Sequence, residues 1–386
     1  MRSKYELAQV VERFGKQFIE QENLSPQQTK ALYNIMQCRT AALGGHEEVC
    51  TCCGKVRYSY NSCGDRHCPK CQGTKQALWV EQLSLSTLPI KHYHIIFTIP
   101  HCLNKICLWD NALFYRLMFQ TVWAVLQSFG YTHYGVEIGA VAVLHTWGQN
   151  LSLHPHVHCL VPAAGYSLRG QWKNIGKQGR FLFPVEQLSK GFMGKFLASL
   201  KRRLKKSGML QAFDCYIQQA YDKAWVVFSE ASLAGAGHVI QYLGQYVNRV
   251  AISNHRILEI TGTHVTFIAK DYREKAIPKP VILEGAEFLR RFCLHVLPKG
   301  IVKVRRFGIY NTTVKRSLEL VFGNETIETI KPKKKENTRE ALKRLTGFDI
   351  SVCPVCKEGT MVAIRELPRI RSPAAHLPSL LLSLLN

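Results

Sequence analysis

A chain of 386 residues can bury a sizeable core and suggests two or three domains. Fifty-one Lys and Arg against 27 Asp and Glu leave a formal charge of +24, which points to a polyanionic partner, nucleic acid first. A membrane surface would require a basic amphipathic anchor or a lipidation signal, and neither is found.

Residues 1–45 read as helices. Val10, Val11, Phe14 and Phe18 fit one helical face, and charges throughout MRSKYELAQVVERFGKQF leave no apolar core of signal-peptide type. A second helix opens at Ser25-Pro26 and closes at Gly44-Gly45. At the other end, LPSLLLSLLN has about half the length a bilayer span needs. The expected location is therefore the cytoplasm of a cell without a nucleus, with the protein on the nucleoid when it acts.

Fourteen cysteines without a secretion signal argue for metal rather than disulfides, and seven of them fall between Cys38 and Cys71. Cys50-x2-Cys53, fourteen residues, then Cys68-x2-Cys71 is close to a zinc ribbon, in which two knuckles close one tetrahedral thiolate site. Cys52, Cys63, His46 and His67 are left over, enough for a second ion or for a register in which Cys63 replaces a ligand. A closed four-ligand site has no open position for chemistry, so its expected role is folding and DNA positioning. Arg57, Arg66, Lys70 and Lys75, with Tyr58 and Tyr60, would give it a basic and aromatic surface for nucleic acid.

A helix through KQALWVEQLSLSTL ends before Pro89, and KHYHIIFTIP is a strand stopped by Pro100. His92 and His94 alternate along it and read as surface or neighbouring-strand histidines. A long helix runs from Asn104 to Phe129, interrupted at Trp109-Asp110-Asn111. Next come two alternating strands, AVAVLHTWG and HVHCLVP, joined across Asn150 to Leu153. A turn centred between Leu151 and Ser152 would set His145 opposite His158, Trp147 opposite His156, and Gln149 opposite His154. Paired residues share a sheet face, so the histidines converge. His156-Val157-His158 aims two imidazoles the same way while Val157 packs behind, the rigid support that a metal requires.

Residues 165–179 form a basic loop. The helix after it ends in Lys201, Arg202, Arg203, Lys205 and Lys206, a solvated helix end or a phosphate-backbone contact. KAWVVFSEA is another strand. In GAGHVIQYLGQYVNRVAISN, apolar residues recur at helical spacing and put Tyr242 and Tyr246 one turn apart on one face. RILEITGTHVTFIAKDY reads as a hairpin turning at Gly262-Thr263. The next segment joins a helix to a basic strand. Its Arg290, Arg291, Arg305 and Arg306, interleaved with Phe292, Phe307 and Tyr310, suit a single-strand path. A charged linker from Lys331 leads to Cys353-Pro-Val-Cys356, half a zinc knuckle that is either completed from elsewhere or degenerate.

HPHVHCLV resembles the HUH motif (U, hydrophobic) of single-strand DNA endonucleases. In that class the paired histidines hold a divalent cation and a helix-borne tyrosine attacks a DNA phosphate. The resemblance implies His156 and His158 as ligands. His145 is the favoured third ligand, by its relaxase-like spacing, and Gln149 is the alternative, by its likeness to viral initiators. Together with CxxC...CPKC, YLGQYVNRVAISN and the HVLPKG segment, the motif resembles two-tyrosine, rolling-circle transposases of the IS91 family over roughly Arg39 to Tyr310.

The resemblance implies an α+β fold with a central antiparallel sheet and flanking helices, preceded by a helical zinc-ribbon-type module. It implies a transposase that cleaves and rejoins single-stranded DNA at element termini, and target DNA, through 5′-phosphotyrosine links at Tyr242 and Tyr246. The cofactors would be structural Zn2+ and catalytic Mg2+ or Mn2+. The expected divisions are a zinc-binding DNA-recognition domain to residue 88 and an endonuclease domain over 89–255 with a basic helical insertion at about 175–222. A basic extension over 256–330 and a tail over 331–386 follow. Two other readings are a plasmid replication initiator or relaxase with the same chemistry, and a zinc-dependent DNA-binding protein without catalysis.

Overall fold

A computed structural model describes residues 3–88, 90–176, 182–231, 251–271, 274, 276–311, 338–347 and 349–370. Helices α1 (Leu7–Gln21) and α2 (Pro26–Gln37) open the chain. Ser25 and Gln28 cap α2 reciprocally, and Pro26 occupies the first turn, where its missing N–H costs nothing. Strands β1 (Gly45–Cys50) and β2 (Val56–Tyr60) form a hairpin, and α3 (Pro69–Ser86) leads to β3 (His92–Thr98). The interruption expected near Trp109 separates α4 (Asn104–Trp109) from α5 (Asn111–Phe129), with the Asp110 carboxylate accepting from Leu113 N–H at 2.8 Å.

The middle of the chain comprises β4 (Val136–Glu137), β5 (Gly139–Trp147), β6 (Leu153–Pro162), β7 (Ala164–Ser167) and β8 (Trp172–Asn174). Helices α6 (Val185–Lys206) and α7 (Leu210–Tyr221) precede β9 (Val227–Ala231). After residue 250 come β10 (Ile257–Ile260), β11 (His264–Asp271), β12 (Ile277–Glu284), α8 (Gly285–Cys293) and β13 (Val304–Gly308). Helix α9 (Thr338–Thr346) and β14 (Met361–Leu367) close the described chain. Among the described residues no helix is long and apolar enough to cross a membrane.

The fold is α+β, with antiparallel sheets flanked by helices. Its centre is a five-stranded sheet in the order β13-β5-β6-β3-β9, antiparallel throughout. One face carries Ala140, Ala142, Leu144, Val157, Cys159, Ile95 and Phe97. These residues join Phe114, Met118, Phe192 and Phe196 of α5 and α6 in the main core. On the other face Val141, Val143, Leu160 and Val304 pack under Trp79, Val80 and Leu83 of α3, and the histidines lie farther along that same face.

A second core joins the β5–β6 hairpin, β11 and α8 to the N-terminal helices. Leu7, Val10, Leu32 and Ile35 pack with Phe267, Phe288 and Phe292, and Leu151 and Trp147 from the β5–β6 hairpin enter the same cluster. The N-terminal helices therefore brace the histidine hairpin directly. At the opposite end of the N-terminal module, β14 pairs with β1 to make the sheet β14-β1-β2.

Candidate active site

The hairpin register differs from the expectation in a way that leaves the face intact. His145 pairs with His156, Leu144 with Val157 and Val143 with His158, two residues from the expected register, and an irregularity lies between His145 and Trp147. An even shift keeps each side chain on its own side of the sheet. Its cause is the turn, which is tighter to the β5 side: Gly148 N–H donates to Ser152 O at 2.9 Å, and Leu151 adopts a left-handed φ of 63°. A buried leucine there carries none of the glycine or asparagine signal by which such turns are recognised.

Side chains remote in sequence hold this strained turn by its carbonyls. Arg256 donates to Gln149 O, Arg291 Nη1 to Asn150 O at 3.1 Å, His295 Nε2 to Leu151 O at 3.1 Å, and Asn104 Nδ2 to Leu153 O at 2.9 Å. Four otherwise solvent-dependent acceptors are thereby satisfied from three different elements and one loop.

On the paired strands, the ligand nitrogens of His145, His156 and His158 lie within 4.8 Å of one another. His156 Nδ1–H donates to its own strand's His154 O at 2.6 Å, which fixes the tautomer with the lone pair on Nε2. His94, on the neighbouring strand β3, places Nε2 at 2.9 Å from His158 Nδ1, the position of an outer partner to a ligand. Burial takes His156 down to about 4 and His94 to about 4. Burial first, then the neighbouring imidazoles, holds His145 and His158 well below the usual range. All four rings are neutral at physiological pH, and neutral imidazole is the form that binds a metal. Three converging nitrogen donors fit a divalent transition ion and leave coordination positions for oxygen ligands.

Trp147 stacks on His145 with ring centroids 5.3 Å apart, and Lys303 Nζ lies 4.7 Å from the Trp147 ring centre. Burial, and then Arg66, brings Lys303 down to about 7. Arg66 itself comes from the cysteine-rich module and donates to Ile301 O and Leu297 O, both at 2.8 Å. Gln149 falls beyond β5, in the turn.

The cysteines correct the expected ribbon. Cys50, Cys53, Cys68 and Cys71 do not meet. Cys68 and Cys71 gather with Cys38 and Cys63, while Cys50 and Cys53 gather with Cys353 and Cys356, each set within 4.8 Å. The reason is geometric. Cys50 ends β1 at the hairpin turn, whereas Cys63 follows β2 at the other end, and five steps of about 3.3 Å keep the two ends far beyond a shared ion. His46 and His67 belong to neither set; burial holds His67 down to about 3.

Several cations expected on DNA have internal partners. Arg57 bonds Glu48 at 2.8 Å, Lys70 reaches Glu6 at 2.6 Å, and Arg290 and Arg291 share Glu287 at 2.6 Å each. Arg305 lies 4.8 Å from the Phe119 ring centre, and Arg306 donates to Ser86 Oγ at 3.3 Å. Arg202 and Arg203 are exposed and line a cavity of about 200 Å³ with Lys206 and Gln120. Tyr242 and Tyr246 lie outside the described residues. Cys38 was not singled out as a member of a sulfur cluster; of the two histidines read as surface or neighbouring-strand residues, His94 lies on the neighbouring strand beside His158, and His92 is buried rather than at the surface. The His92-x-His94 alternation was the available signal for His94, and it needed only the strand neighbour.

Comparison with known proteins decides the family. The model described as "Putative transposase" matches residues 139–317, and the one described as "Transposase zinc-binding domain" matches residues 10–99. A putative transposase, y4qJ, of Sinorhizobium fredii is 38% identical over 393 residues, covering 96% of this chain and 98% of that protein. The chain belongs to the IS91 family of transposases. The transposase for insertion sequence element IS801 of Pseudomonas savastanoi pv. phaseolicola is 26% identical over 358 residues, covering 88% of this chain and 84% of that protein. No solved structure matches significantly. As an IS91-type transposase the chain carries an N-terminal zinc-binding domain, and its cysteine clusters suit structural zinc. The matched transposase region contains the whole histidine hairpin.

Proposed function

We propose that this transposase cleaves and rejoins single-stranded DNA at element termini through 5′-phosphotyrosine intermediates, with Tyr242 and Tyr246 as nucleophiles. His145, His156 and His158 would hold the divalent ion. The observation that carries the reading is the convergence of three neutral imidazoles on one strand face of a transposase. A bound manganese or magnesium ion supplies Lewis-acid polarisation of the scissile phosphate. Imidazole donors favour manganese, and cellular abundance favours magnesium.

The chain's own part is positioning and nucleophilic attack. The tyrosine hydroxyl, with a reference pKa of about 10, gives up its proton as its oxygen attacks phosphorus. The bond from phosphorus to the 3′ oxygen breaks, and that oxygen takes up a proton. The products are DNA joined through its 5′ phosphate to tyrosine and a free 3′-OH. One phosphoester replaces another, so no nucleoside triphosphate is consumed. Two tyrosines allow two such links in succession, Tyr242 for the first cut and Tyr246 for the second. Exposed Arg202 and Arg203 supply phosphate contacts to the strand.

The test is incubation of the protein with a single-stranded terminal oligonucleotide and Mn2+, followed by a denaturing gel. The expected result is a protease-sensitive DNA adduct that disappears on chelation and in His156→Ala, while that variant still binds DNA. Cleavage that proceeds at full rate in His156→Ala, or that yields only free ends, would refute the reading.

A further inference from the structure

Two stretches 300 residues apart build the same small turn and face one another. In the first, Gly54 N–H donates to Cys50 O at 3.2 Å, Cys52 N–H points to Cys50 Sγ at 3.4 Å, and Gly54 has a left-handed φ of 68°. In the second, Lys357 N–H donates to Cys353 O at 3.0 Å, Val355 N–H points to Cys353 Sγ at 3.4 Å, and Lys357 has a φ of 62°. Each is Cys-x-x-Cys followed by a left-handed residue, with the backbone turned so that its N–H groups support sulfur. Gly359 adds a further N–H to Cys356 Sγ at 3.4 Å.

The two turns meet sulfur to sulfur. Cys50 Sγ lies 3.6 Å from Cys356 Sγ and Cys53 Sγ 3.7 Å from Cys353 Sγ. These separations exceed a disulfide bond of about 2.05 Å and suit the edges of a tetrahedron of thiolates around one ion. The approach is close enough to require glycine: a Cβ at Gly359 would come within 2.4 Å of Cys50 Sγ and 2.7 Å of Cys52 Cβ. The surroundings continue the contact. Thr51 N–H donates to Thr360 O at 3.0 Å, β14 pairs with β1 from Met361 to Leu367, and α9 is tied to α3 by Arg344 Nη2 donating to Glu81 at 3.0 Å.

We propose that Cys50, Cys53, Cys353 and Cys356 bind a second structural zinc ion, which staples the C-terminal segment onto the N-terminal sheet and closes the chain into a metal-locked ring. Four sulfur donors with no nitrogen or oxygen partner select zinc among abundant divalent ions. Half of the ligands lie outside the region matched as a zinc-binding domain, so the module is completed only by the far end of the chain. The other cluster, Cys38, Cys63, Cys68 and Cys71, lies in the core beside the histidine hairpin, where it would hold the first ion; the second would govern whether the two ends of the chain stay together.

The experiment is metal analysis of the full-length protein, with the Cys353→Ser, Cys356→Ser double variant alongside. Two zinc ions per chain in the wild type, falling to one in the variant, are expected. One ion in both proteins, or two in both, would overturn the assignment. Cysteine alkylation of the native wild type, read residue by residue by mass spectrometry, keeps the question open to refutation even if the variant fails to fold. Cys50, Cys53, Cys353 and Cys356 should resist the reagent together and become reactive on chelation, whereas the exposed Cys215 reacts throughout. Reaction of Cys353 and Cys356 at the rate of Cys215 in the zinc-loaded protein would overturn the proposal.

Discussion

His156 and His94 have different duties on one sheet face, and substitution separates them. His156 is fixed by the bond from Nδ1 to His154 O, so replacing it by alanine removes one of the three proposed ligand nitrogens. His94 touches His158 and is not among the three proposed ligands, so His94→Ala should weaken manganese binding by about 10- to 100-fold without abolishing it. Titration calorimetry on both variants checks this; an unchanged affinity in His94→Ala would make the contact incidental. His92 and His295 give a pH prediction of a different kind. Burial takes each to about 4 against an ordinary 6.5, and both bond carbonyls, His92 to Ile90 and His295 to Leu151, as neutral rings. The folded state therefore disfavours their protonation. Their stability contribution is complete above pH 6.5 and is lost as the pH falls from there through about 4, about 3 kcal/mol for each ring at roughly 1.4 kcal/mol per pKa unit. Urea unfolding at pH 7.5 and pH 5 should show the drop, and His92→Gln should remove part of it.

At the scale of elements, the β5–β6 hairpin depends on side chains that are remote in sequence. Arg256 donates to Gln149 O, to Ile268 O at 2.7 Å and to Ala251 O at 3.4 Å, linking the turn to β11. Arg256→Ala leaves those acceptors without their donor and should cost about 2–3 kcal/mol, with weaker manganese binding because the turn sets the strand ends. A urea midpoint equal to wild type would contradict it. The strands themselves were legible, because alternation in AVAVLHTWG and HVHCLVP is a strong period-two signal and survives a register shift of two. The register was not legible: it depends on a left-handed Leu151 held by Arg256, Arg291 and His295, and no local residue announces that. The cysteine pairing was hidden for a similar reason. Spacing identified Cys50-x2-Cys53 and Cys68-x2-Cys71 as knuckles, but the length of β1 and β2 decides which knuckles can meet. Only the tertiary fold brings Cys353 and Cys356 to the first of them.

For the whole molecule, the zinc-binding region and the histidine face form one mechanical unit. Cys38, Cys68 and Cys71 share a core with Leu151, and Arg66 grips the segment leading to Lys303. Cys68→Ser should therefore lower both the melting temperature and the manganese affinity of the histidines on the adjoining hairpin; a variant that loses zinc yet binds manganese normally would separate the two. The charge of +24 adds a long-range effect. DNA affinity should fall with salt at a log-log slope of about −0.7 for each phosphate neutralised on a single strand, and Arg202→Ala with Arg203→Ala should make that slope shallower. Arg57, Arg66, Lys70, Arg290 and Arg291, all expected on DNA, hold internal ion pairs or carbonyls instead, so the slope should be smaller than the charge alone suggests. The most direct test of the central claim is peptide mapping of the covalent adduct formed on a single-stranded terminal oligonucleotide with Mn2+. The expected result is a nucleotide-bearing peptide modified at Tyr242 and absent from Tyr242→Phe. An adduct that still forms in the Tyr242→Phe, Tyr246→Phe double variant, or that maps to any other residue, would contradict it.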